Sequence, residues 1–165
     1  MEEGRGGERL GPRHATSAIE LDLEGLPLVL VRYRRVPTVE DFAAMERWCR
    51  TELYPRRVRF VAVSDLSAIG MVDRSVRKEG AAMAHRVEPF VIELEIASVL
   101  LVTNPLVRGI LKAIRWLTPA IAPEHLVSDG PSAAELAERL LRREGVELAP
   151  PTLDALERIR RTFGT

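Results

Sequence analysis

Three short apolar runs carry the strongest constraint in this sequence: residues 27–33 (PLVLVRY), 59–64 (RFVAVS) and 96–103 (IASVLLVT). Each is rich in Val, Ile and Leu and is apolar at successive positions, as a strand covered on both faces must be. The stretches between them have the three- and four-residue apolar spacing of amphipathic helices. Parallel strands need a crossover of about a dozen residues or more, usually a helix, and these connections are long enough. The pattern therefore predicts a mostly parallel sheet with helices packed on it.

The rest of the chain extends that frame. Ile19-Glu20-Leu21-Asp22-Leu23 alternates apolar and charged residues, and Glu24-Gly25 turns it into the run at 27–33, predicting an antiparallel N-terminal hairpin. Thr38 reads as a helix N-cap with Asp41 in the capping-box position. Val39, Phe42, Met45, Cys49 and Leu53 then mark a helix over 39–53. Residues 72–94 are helical, with Val72, Val76, Met83, Val87, Val91 and Leu94 on one face. Pro89 predicts a kink or break near 87–88. Asn104-Pro105 starts the next helix, 105–117, with Leu106, Ile110, Ile114 and Leu117 as its apolar stripe. A short strand at 124–128 and a helix at 131–144 follow. Residues 145–151, with Pro150-Pro151, read as a stiff linker, and 152–163 as a final helix. The expected organisation is a flexible leader at 1–17, one α/β domain at 18–145, and a linker with an appended amphipathic helix at 146–165.

Charge and cysteine content exclude several classes. The chain has 165 residues, with 24 basic against 24 acidic, which argues against a bulk nucleic-acid binder. Cys49 is the lone cysteine, and His14, His85 and His125 lack ligand-like spacing, so no disulfide framework, metal site or cofactor is expected. The N-terminus has no apolar signal region, and the longest apolar run falls far short of the ~20 residues that span a bilayer. The reading is a cytoplasmic protein.

Two stretches carry a family resemblance. Val61-Ala62-Val63-Ser64-Asp65-Leu66-Ser67 is a strand ending in Asp-Leu-Ser, and residues 97–117 (ASVLLVTNPLVRGILKAIRWL) are a strand, an Asn-Pro break and an apolar helix ending in Trp. From about residue 19 to 143 the chain resembles a SpoIIAA-like (STAS) domain. It is especially similar to an uncharacterised bacterial subgroup grouped with CRAL-TRIO-type lipid-binding folds. The resemblance implies a single domain: a mostly parallel sheet, the antiparallel hairpin, about four helices and the appended C-terminal helix. It also implies signalling through protein contacts. STAS antagonists switch by phosphorylation in an Asp-Ser-Ser/Thr-Gly turn, eight residues after their Asp-Leu-Ser. Asp65 to Asp73 has that spacing, but Arg74-Ser75-Val76 follows, so the usual acceptor position is Arg74. Ser75 could take a phosphate at a helix start; a lost switch outranks that reading.

Catalytic motifs are missing: no Gly-x-Ser-x-Gly elbow, paired His/Cys or phosphate-cradling loop appears. A triad of Ser67, His85 and Asp65 or Asp73 is far outweighed by a capping serine and a surface histidine. The expectation is a non-enzymatic regulatory or scaffolding module, with Asp65, Ser67, Asp73, Arg74 and Ser75 as the partner-binding residues. The partner is a protein, and a second copy of the chain stands open. The alternative is an apolar-ligand or lipid binder, with a pocket between the 72–94 and 105–117 helices. There Arg108, Lys112 and Arg115 form a cationic stripe beside Trp116, which also suits an anionic membrane surface. A solvated helix face outranks that membrane reading.

Overall fold

In the computed structural model, which describes residues 12–165, six strands form one sheet in sequential order. They are β1 (Arg13–Ala15), β2 (Ile19–Asp22), β3 (Leu28–Tyr33), β4 (Phe60–Asp65), β5 (Glu95–Leu101) and β6 (Glu124–Val127). β1, β2 and β3 pair antiparallel, and β3 through β6 pair parallel. The helices are α1 (Val39–Trp48), α2 (Arg74–Leu94), α3 (Pro105–Leu117), α4 (Gly130–Arg143) and α5 (Pro150–Thr162). None is long and apolar enough to cross a membrane.

Strand order decides where the helices go. Right-handed crossovers between strands that advance in one direction keep α1, α2 and α3 on one face. α4 and α5 then cover the other. The pleat divides β3 accordingly: Val29 and Val31 join the core under α1 and α2, while Leu28 and Leu30 join the core under α4 and α5.

The α4–α5 face is closed by small side chains. Ala133, Ala134, Ala137 and Ala155 are fully buried, with Leu141, Leu156 and Ile159 between them. Backbones approach so closely that a Cβ on Gly130 would lie 2.5 Å from the Ile159 carbonyl, and one on Gly25 would lie 2.5 Å from the Ala155 methyl. Polar ties reinforce the seam. Buried Asp22 accepts from Arg158 at 2.7 Å and pairs with Arg13 at 3.1 Å, joining β1, β2 and α5.

Local signals account for most boundaries. Thr38 and Asp41 form the capping box of α1, and Asn104 and Pro105 open α3. Four expectations need correction. The leader expected over 1–17 reaches into the sheet, since Arg13–Ala15 is a strand; its residues 1–11 lie outside the described part. The helix expected over 39–53 is α-helical only to Trp48, then widens into a π turn, Cys49–Leu53, and a 3₁₀ turn, Tyr54–Arg56, which bury Leu53 and Tyr54. Of the kink or break expected near 87–88, the break does not occur: α2 is one continuous helix through Pro89. Pro150 and Pro151 open α5 rather than stiffening a linker, because the first helical turn needs no N–H from them. α5 packs on α4 and β3, so the C-terminal helix is part of the domain.

Candidate functional site

The face opposite α4 and α5 has a buried core under α1 and the end of α2 but is not closed throughout. α2 has 21 residues yet buries only Val87 and Leu94, and α3 buries none of its 13. Beneath them the sheet presents short side chains, Ala62 and Ser64 on β4 and Ser98 on β5, which fill less space than the large aliphatic residues of the other face. A cavity of about 530 Å³ results, walled by Val29, Val31, Met83 and Val91 and closed at one end by residues 118–122 after α3. A second pocket of about 250 Å³ lies between the start of α2 and the inner face of α3, lined by Val76, Gly80, Val107, Ile110, Leu111 and Ile114. Tyr33 lines both. Binding sites for small molecules typically have volumes of about 300–1,000 Å³, mostly apolar walls and a few polar groups.

Polar groups gather at one end of the larger cavity. Arg115 holds Glu124 with two hydrogen bonds, at 2.7 and 2.9 Å. Glu95 begins β5 beside that pair, and its carboxylate has no hydrogen-bond or ion-pair partner among the described residues. Burial, then the charge of Glu124, pushes Glu95 up to about 7. Burial likewise pushes the Cys49 thiol and the Tyr33 hydroxyl up to about 12, and raises Tyr54. Cys49 is therefore a neutral wall atom and not a thiolate nucleophile.

The residues singled out from sequence fall into three settings. Asp65 is buried and committed: it accepts from the Ser67 amide at 3.0 Å, the Ser67 hydroxyl at 2.6 Å and the Gly164 amide at 3.1 Å, with Arg32 at 3.6 Å. Asp73, Arg74 and Ser75 are exposed at the start of α2. Asp73 caps that helix, accepting from the Val76 amide at 3.1 Å and the Ser75 hydroxyl at 2.7 Å, bonds that hold its carboxyl below the usual range. His85 pairs with Glu88 at 3.3 Å, and no described hydrogen bond links it to Ser67.

The cationic stripe of α3 is partly consumed. Arg108 donates to the Val102 carbonyl at 3.1 Å, and Arg115 is held by Glu124. Lys112 stays exposed. Trp116 is 91% exposed and Leu117 87%, so the expected apolar stripe does not end in the core. Leu106 is 64% exposed for the same reason: α3 stands off the sheet.

Sequence reasoning missed Glu95, Tyr54, Ser64 and Ser98 as cavity residues. The available signals were the acid at the junction of a helix and an apolar strand, and small polar residues inside two strands that read as buried.

No family model matches this chain, and no curated protein matches it. Among solved structures, it is similar to an uncharacterised protein of the DUF3478 family with a SpoIIAA-like fold, from Shewanella loihica PV-4. The likeness covers 77% of this chain and 91% of that one, with a TM-score of 0.53 at 11% identity. It is a likeness of architecture: the chain has a SpoIIAA-like fold, as the sequence resemblance implied.

Proposed function

We propose that this chain is a non-catalytic binding module whose ligand is an apolar small molecule held between the sheet, helix α2 and the segment 118–122 that follows α3. One observation carries the reading. A domain that closes one sheet face down to fully buried alanines leaves about 530 Å³ open on the other, under α2, a 21-residue helix with only Val87 and Leu94 buried, and residues 118–122. Empty apolar space forfeits dispersion contacts, and a ligand would restore them.

The test uses the uncharged fluorophore N-phenylnaphthylamine, titrated into delipidated protein. A saturable fluorescence rise is expected in the natural chain, with loss of that rise in Ser98→Phe, whose ring fills the cavity floor, at unchanged circular dichroism. No saturable rise, or equal binding by Ser98→Phe, sinks the reading.

A regulatory role through a protein partner is the second reading, favoured by the exposure of Asp73, Arg74 and Ser75 beside Met71, which is 72% exposed. The two are compatible in one mechanism. α2 roofs the cavity and starts at that surface, so a ligand that orders α2 also changes what a partner meets.

A further inference from the structure

We infer, on the premise of the apolar-ligand reading, that the ligand is a basic amphiphile: an apolar body against Ala62, Met83, Val91 and Ile121, and a protonated amine at Glu95. The argument is one of unmatched charge. Among the described residues three carboxylates line the cavity: Glu124 is held by Arg115, and Glu88, at its rim, lies 3.3 Å from His85 Nδ1. Glu95 alone has no hydrogen-bond or ion-pair partner among the described residues. Its position is fixed, because its amide donates to the Val91 carbonyl at the end of α2 while its residue starts β5. A carboxylate in an apolar setting is costly unless paired, and an ammonium group arriving with its own apolar body would pair it.

The opposite head group meets the reverse situation. A carboxylate ligand would face Glu95 and Glu124, and Arg115, the one arginine in the lining, is already taken up by a bidentate pair. The other titrating groups around the cavity are Tyr33 on β3, Cys49 and Tyr54 after α1, and His85 on α2. Tyr33, Tyr54 and Cys49 stay neutral at ordinary pH because burial raises all three. They can accept or donate a hydrogen bond, but none offers an anion a charge.

Three ligands with one apolar body and different heads separate the outcomes: decylamine, decanol and decanoate, each below its micelle concentration, titrated calorimetrically into the full chain. Decylamine is expected to bind about tenfold tighter than decanol, the scale of one charge-assisted hydrogen bond, and decanoate weakest. Glu95→Gln should keep decanol binding and lose the preference for the amine. In the natural chain the amine's affinity should rise as the pH passes upward through about 7, where Glu95 ionises, while decanol's stays level. That second measurement serves even where Glu95→Gln folds poorly. Decanol binding without an amine preference overturns this inference and leaves the apolar-ligand reading standing. Failure of all three ligands overturns both.

Discussion

The two faces of one sheet have been built to different standards. Under α4 and α5 the core is sealed: alanines, Leu141, Leu156 and Ile159 are fully buried, and glycines stand where any Cβ would collide. Under α2 and α3 the same strands carry Ala62, Ser64 and Ser98 toward helices that bury almost nothing. The hydrophobic effect alone would close both. A face left open against that force points to a use for the space, and it separates residues that hold the fold from residues free to bind.

The sharpest way to break this comparison is a pair of truncations. Leu156→Ala on the sealed face should cost about 2–5 kcal/mol, read as a lowered urea midpoint, because a cavity forms where nothing can relax. Val91→Ala on the open face should cost less than about 1 kcal/mol, since part of its side chain already borders empty space. Equal costs would mean the open face is closed in solution.

A smaller effect comes from Glu95. Its folded value of about 7 lies above the ordinary 4.5, so between those pH values the folded chain keeps a proton that the unfolded chain has lost. Stability should be fullest below about pH 4.5 and fall as the pH rises to 7. The loss is on the order of 3 kcal/mol at most, given that the side chain retains some solvent contact. Glu95→Gln should flatten that part of a stability–pH curve. A natural chain as flat as the variant there would mean that Glu95 is hydrated and the cavity wet.

The smallest effect belongs to Trp116. At 91% exposure its replacement by Ala should leave the unfolding free energy, read by urea denaturation, within about 0.5 kcal/mol of the original. A larger loss would show that the end of α3 is packed, and the open face narrower than described.

Much of the frame was readable from residue spacing. Thr38 with Asp41, Asn104 with Pro105, and the apolar runs at 27–33 and 59–64 state their roles locally, through caps and periodicity. What was not readable depends on what lies opposite. The stripe Leu106, Ile110, Ile114 and Leu117 says which face of α3 is apolar, but not that the sheet beneath would present serines and an alanine instead of filling the gap. Arg13–Ala15 shows no alternation, since a three-residue edge strand is held by its partner's backbone. Glu95 falls between the helix read over 72–94 and the strand read over 96–103 and carries no local signal of a role. Only the fold, which brings the start of β5 and the Arg115–Glu124 pair into one cavity lining, shows that it stands there without a partner among the described residues. Of the residues proposed for partner contact, Asp65 is instead an internal anchor, which no spacing rule distinguishes from an exposed loop aspartate.

The seam between α5 and the early strands sets an order of events during synthesis. Thr152 donates to the Leu26 carbonyl and Arg158 to Asp22, 126 and 136 residues apart in sequence. Gly164 reaches back to Asp65, 99 residues earlier. While α5 is still inside the ribosome, Leu28, Leu30 and Val61 lack the cover that Leu156 and Ile159 later supply. The sealed face is therefore the last to form, and the nascent chain must hold its apolar strands apart from other chains until residues 150–163 emerge.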